Sequence, residues 1–190
     1  MRRVVFLVLT LAAVAACGLP SDSQPRQIAD DKVPFELLGP STTSPANTVP
    51  GGPNVRLYFL DGTQVHALNR SVTNRDPMSV LNELVKGLTD TDPVGITTAI
   101  PKDTQIVKVT TDGATLVVTL NSAILNISGA EQKNAFGQLV YTVTDLDFTG
   151  VRFRVTDASG AEQDVPTPTD NGATAGSVDR SDFLSLQKPS

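Results

Sequence analysis

The chain is short of the residues from which most catalytic and metal sites are built. Its 190 residues include one cysteine and one histidine, which excludes an internal disulfide and a zinc site made from histidine pairs. There is no tryptophan, aromatics make up only 5%, and the apolar share of 39% falls a little under the globular norm. Bases are also scarce, 15 against 20 acids for a net charge of −5. An acidic chain has no electrostatic footprint for a polyphosphate, so no nucleic-acid partner is expected. Neither G-x-S-x-G, H-E-x-x-H nor a phosphate-cradling G-x-x-x-x-G-K occurs. No catalytic residue, metal site or soluble cofactor is therefore expected.

No apolar run reaches the roughly 20 residues that span a bilayer. What is present is shorter. Met1-Arg2-Arg3 gives a positive start to an apolar run from Val4 to Ala16, which reads as the core of a signal peptide over residues 1–16. The run closes on Val14-Ala15-Ala16-Cys17, similar to the bacterial lipobox, with small residues for a peptidase groove and a thiol for acylation. Cys17 is thus the expected lipidation site, carrying a diacylglyceryl or palmitoyl lipid that holds the protein at the outer face of the cytoplasmic membrane. Cleavage removes two arginines and no acid, leaving 13 bases against 20 acids, net −7. Two or three acyl chains, at about 0.8 kcal/mol per buried CH₂, anchor without help from a basic patch.

Residues 17–54 hold seven of the thirteen prolines and are otherwise rich in Ser, Thr, Gly and Asn, the composition of a tether. As a flexible coil this stretch spans roughly 35 Å. One apolar island, Val33-Pro34-Phe35-Glu36-Leu37-Leu38, interrupts it and is expected to dock against the folded part.

The folded part is expected over residues 55–165. Val55–Leu60 and Gln64–Leu68 flank Asp61-Gly62, a type I′ hairpin signal. Asp76-Pro77 supplies an N-cap and a first-turn proline to a helix whose Val80, Leu81, Leu84, Val85 and Leu88 share a face, and Gly87 can end it. A loop over 89–104 precedes a second hairpin, Gln105–Thr111 and Ala114–Asn121 around Asp112-Gly113. Ser128 and Glu131 read as a capping box before a second helix with a Phe136, Leu139, Val140, Val143 stripe. Val151–Val155 and Ala161–Val165 complete the order ββ-α-ββ-α-ββ. The expected class is α+β: a mixed, mainly antiparallel sheet with two amphipathic helices on one face and the other face turned to solvent or a partner. Residues 166–190 read as a polar, loose tail in which Val178–Leu186 can pack back as an edge segment.

His66, mid-strand and without a companion nucleophile, reads as an edge-strand histidine. Asp90 with Asp92, and Asp145 with Asp147, lack the six or more oxygen donors of a Ca²⁺ site and fit caps and turns. Arg152 and Arg154, on the polar side of one strand, are the expected partner contact, suited to carboxylates.

Several stretches together resemble the GerMN domain, first described in spore-germination proteins. They are Leu81–Leu88, Thr98–Thr104, Asp112–Leu120, Gln138–Thr144 and Val151–Val155, so the resemblance covers roughly residues 55–165. Lipobox, tether and a closing Val178–Phe183 are similar to small actinobacterial lipoproteins and to the GerMN part of a larger one. The resemblance implies an α/β module related to the ring-building motifs of secretion systems and used for protein contacts, with no established catalytic residues to transfer. The expected function is a non-enzymatic, lipid-anchored docking module of the cell envelope. Its expected partners are envelope proteins or further copies of itself. Peptidoglycan or small-solute binding is the alternative.

Overall fold

A computed structural model describes residues 52–157 and 159–188, all within the compact unit Thr43–Ser190. The lipobox, Cys17, the tether and the island at 33–38 lie outside the described residues. In the described part, β1 (Asn54–Asp61) and β2 (Gln64–Ser71) form the first hairpin, followed by α1 (Pro77–Val85) and a short β3 (Ile96–Thr97). The second hairpin is β4 (Ile106–Asp112) and β5 (Thr115–Asn121), followed by a 3-10 turn at Ser122–Asn126 and α2 (Gly129–Thr144). Then come β6 (Gly150–Thr156), β7 (Glu162–Asp164), the small hairpin β8 (Thr167–Thr169) and β9 (Gly172–Thr174), and a 3-10 segment at Arg180–Leu186.

The fold is α+β and mainly antiparallel. Its strands make two principal sheets, ordered β2-β1-β3 and β4-β5-β6-β7, and not one continuous sheet. Among the described residues the one parallel pairing, β5 with β6, is a strand-helix-strand crossover through α2. Both hairpin loops sit one residue later than expected. Asp61 pairs with Gln64 and Asp112 with Thr115, leaving Gly62-Thr63 and Gly113-Ala114 as the loops. Only the glycines are left-handed (φ 62° and 59°), the pattern of a type II′ turn and not type I′. A type I′ turn needs positive φ at both positions, which β-branched Thr63 resists.

Helix α1 forms as its sequence predicts. Asp76 accepts from the Ser79 amide at 3.0 Å, Pro77 opens the first turn, Val80, Leu81 and Leu84 are buried, and Gly87 (φ 83°) ends it. The capping box of α2 is not formed. Ser128 occupies the N-cap position, but left-handed Gly129 (φ 61°) turns the backbone before the first regular turn, and the Ser128 side chain caps nothing.

Helix α2 is buried on more than one side, with every residue from Ala135 to Val143 inaccessible. It packs on β1 of the first sheet and β6 of the second, with Phe136 and Phe153 ring centroids 4.7 Å apart. It also completes the open edge of β1. Thr142 Oγ1 accepts from the Tyr58 amide at 3.1 Å, and Gln138 Nε2 donates to the Tyr58 carbonyl at 3.0 Å. Two backbone groups that would cost about 1–3 kcal/mol each if buried unpaired are thereby satisfied by side chains.

The tail is part of the fold. Val178 exchanges two 2.8 Å backbone bonds with Val151, and Phe183 and Leu186 are buried against Gly137 of α2. Arg180 donates to the Tyr141 carbonyl at 2.9 Å and to Thr144 Oγ1 at 2.7 Å, and lies over the rings of Tyr58 and Tyr141. Residues 167–187 therefore form a strap along α2, the packing-back that the Val178–Leu186 pattern allows, in place of a loose end.

Candidate functional site

The outward face of the second sheet carries the two arginines expected to meet a partner. Along β6, Val151, Phe153 and Val155 are buried while Arg152, Arg154 and Thr156 are half-exposed on the other side. The parallel register places Arg152 beside Val117 and Arg154 beside Thr119, and β4 adds Thr110 opposite Val117 and Lys108 opposite Thr119. The Arg154 row is polar or charged across four strands, Lys108, Thr119, Arg154 and Asp164, while the Arg152 row crosses three and includes Val117.

The two arginines differ in what they already hold. Arg154 donates to Glu162 Oε2 at 2.6 Å and to Asp164 Oδ1 at 3.1 Å, and Lys108 reaches the other Glu162 oxygen at 3.1 Å. Two cations and two carboxylates close this row upon itself. Arg152 has no ion pair or hydrogen bond among the described residues, and its Nε is buried without a partner. Of the pair, Arg152 is the one with unused donors, one of them already stripped of water.

The expected strand and loop residues fall as follows. His66 is half-buried on β2, an edge strand, opposite Phe59. Asp92 is bound to Arg70 and accepts from the Thr89 amide at 2.6 Å. Asp145 holds Arg56 at 2.8 Å, Arg180 at 3.3 Å and the Tyr58 hydroxyl at 3.3 Å. The Arg56 guanidinium is shifted upward by the hydrogen bond and charge of Asp145. Asp147 is exposed in a left-handed turn (φ 70°). Asp92 and Asp145 are thus occupied by basic side chains.

One buried charge escaped the sequence reading. Arg70 is 1% exposed, paired with Asp92, 3.8 Å from Glu83 Oε1, and 5.7 Å from the centre of the Phe59 ring. The signal was the period of two: Leu68, Arg70 and Val72 share the buried face once β2 runs on past Leu68. Beside it lies a polar groove of about 200 Å³, lined by Ser71, Thr73, Ser79, Asn82, Glu83 and Lys86. Among the described residues no helix is long and apolar enough to cross a membrane, and no group of three or more His, Cys, Asp or Glu could hold a metal ion.

Residues 56–160, more than half of the chain, match a family described as Germane, sporulation and spore germination. No curated protein matches the sequence. Among solved structures, the first GerMN domain of the sporulation protein GerM from Bacillus subtilis is similar, with 16% identity and a TM-score of 0.52 over 68% of this chain and 99% of that one. The tandem GerMN domains of the same protein give 18% identity and a TM-score of 0.44 over 60% of this chain, which spans 44% of their length. A Clostridium perfringens protein described as a candidate lipoprotein gives 18% identity and a TM-score of 0.47, over 75% of this chain and 97% of that one.

Proposed function

The chain belongs to the Germane family of sporulation and spore-germination domains, and from that premise we propose that it is a lipid-anchored docking module on the outer face of the cytoplasmic membrane. In this reading Cys17 carries the acyl anchor, residues 18–54 form the tether, and the domain binds an envelope protein without catalysing a reaction. The observation that carries it is the outward face of the second sheet, where Lys108 and Arg154 are held by Glu162 and Asp164 and Arg152 is the cation that no described carboxylate pairs. A guanidinium with unused donors on a rigid strand suits a carboxylate of a partner protein, and fixed geometry favours a bidentate pair. Arg154, already closed by Glu162 and Asp164, frames the contact and does not make it. Edge-to-edge strand addition is disfavoured as the mode. Edge strand β4 carries a bulge between Ile106 and Lys108 and a lysine paired across the sheet, both of which blunt an edge.

The test is crosslinking in living cells from a photoreactive residue at Val117, next to Arg152, with recovery of the adduct. A specific protein adduct is expected, lost on Arg152→Glu, kept on Thr110→Ser, and lost when Cys17→Ser frees the chain from the membrane. An adduct indifferent to Arg152→Glu would remove this face from the reading. The polar groove beside Arg70 favours the second reading, a peptidoglycan or small-solute binder. Co-sedimentation with purified sacculi, sensitive to Asn82→Leu, would select it.

A further inference from the structure

A second cavity, of about 500 Å³, opens beyond the C-terminal end of α1, apart from the sheet face. Val85, Leu88 and Ile100 give it apolar walls, Thr98 contributes a hydroxyl, and Lys86 and Lys102 stand at its rim. We propose that this cavity binds a fatty carboxylate, with the acyl chain against the apolar walls and the carboxylate between the two lysines. The assignment does not depend on the docking reading.

The size lies within the roughly 300–1,000 Å³ of small-molecule sites. The walls are already in place. On one side Gly87 closes α1, its amide bonded to the Leu84 carbonyl at 3.0 Å. On the other, Gln138, fully buried in α2, accepts from the Ala99 amide at 2.8 Å and from the Thr98 hydroxyl at 3.3 Å, while Thr98 Oγ1 accepts from the Ile100 amide at 3.2 Å. A ligand entering this space has little protein to order, which favours affinity.

Charge selects the head group. The chain as a whole is acidic, yet the rim of this cavity carries two cations. Lys102 has no ion-pair or hydrogen-bond partner among the described residues, and Lys86 contacts only Glu83, which also lies near Arg70. The end of a helix contributes a partial negative charge of about half a unit, which works against an anion. The unpaired ammonium of Lys102 outweighs it, and Lys86 adds to the pull as far as it turns from Glu83 to the ligand. The walls select the rest of the ligand. Thr98, the lining side chain with a hydroxyl, is already engaged in two hydrogen bonds, so the side chains of the walls offer an entering ligand apolar contact. A molecule whose single polar group is its head leaves nothing unsatisfied.

Decanoate, with decanol as its uncharged counterpart, is the probe. Residues 18–190 retain every described residue and hence the whole core. Titration followed by amide chemical shifts should give saturable decanoate binding, with the largest changes at Val85–Leu88 and Thr98–Lys102. Lys86→Glu combined with Lys102→Glu, both on exposed side chains, should weaken decanoate roughly tenfold, about 1.4 kcal/mol, and leave decanol within about twofold. Three results would each overturn the assignment: no saturable binding, shifts centred elsewhere, or equal losses for decanoate and decanol. Leu88→Phe, which narrows the space without touching charge, should weaken both probes alike; unchanged binding in that variant would place the acyl chain outside the cavity and overturn the proposal as well.

Discussion

Replacing Asp92 by alanine would strand a guanidinium inside the protein, because Arg70 is almost wholly buried and Asp92 is its closest partner. Removing one member of a buried pair costs about 3–5 kcal/mol, since the other charge stays desolvated. Glu83, 3.8 Å away and partly exposed, recovers only a fraction of that. Asp92→Ala is therefore expected to lower the urea midpoint by an amount equivalent to about 3 kcal/mol or more. Adding Arg70→Met to it should return much of the loss, because a long, unbranched apolar side chain follows most of the arginine stem and needs no partner. A single-variant loss under about 1 kcal/mol would mean that the pair is hydrated and that the loop from Thr89 to Gly95 is not pinned by it. The same contrast between a compensated and an uncompensated guanidinium separates Arg154 from Arg152, so residue-level pairing, and not residue type, decides which arginine has donors to spare.

The strap and α2 meet where Gly137 has no side chain. A Cβ there would run into Leu186 Cδ1 and approach Phe183 Cδ1 at 3.4 Å. In an exposed helix Gly→Ala gains roughly 1 kcal/mol of helix propensity, but here the added methyl must push the strap aside. Gly137→Ala is expected to destabilise the protein and to speed hydrogen exchange over Arg180–Leu186, while the added Leu186→Ala substitution makes room, giving a coupling of about 0.5–3 kcal/mol in a double-mutant cycle. Additivity would show that the strap does not rest on this glycine. At the level of elements, α1 and both hairpins were legible because their signals are local: an Asp-Pro cap, alternation, and Asp-Gly at each turn. The Ser128 box failed on an equally local ground, the conformation of Gly129. The division into two sheets, the two-residue β3 and the burial of α2 on several sides were not legible, because each depends on what comes back from far along the chain. The tail is the clearest case. Its composition is polar, yet Val178, Phe183 and Leu186 are enough to hold it once Gly137 and the Val151 edge receive them. The candidate site was half legible: the strand period put both arginines on the outward face, but only the turn back into β7 brings Glu162 and Asp164 to Arg154.

For the molecule as a whole, one carboxylate joins three parts of the fold. Asp170, in the turn between β8 and β9, accepts from Lys133 Nζ of α2 at 2.9 Å, from the Ser185 amide at 2.8 Å and from the Ser185 hydroxyl. Burial acts to raise its pKa, but the Ser185 hydroxyl and amide and the Lys133 ammonium outweigh it and hold the carboxyl down at about 2, from an ordinary 3.8. A carboxyl whose pKa is lower folded than unfolded stabilises the fold above its unfolded value, and the contribution is lost as pH falls through the folded one. Neutralising Asp170 therefore releases the strap between about pH 4 and pH 2, while the core that α2 shares with both sheets does not depend on this group. Hydrogen exchange over Arg180–Leu186 should accelerate across that window relative to the intrinsic rate, ahead of Leu57–Phe59 and Ala135–Val143. In Asp170→Asn the strap should already exchange faster at neutral pH and lose most of that extra pH dependence. Strap and core loosening together, with the same midpoint in both proteins, would show that the strap unfolds only with the whole domain and that Asp170 is not what fastens it.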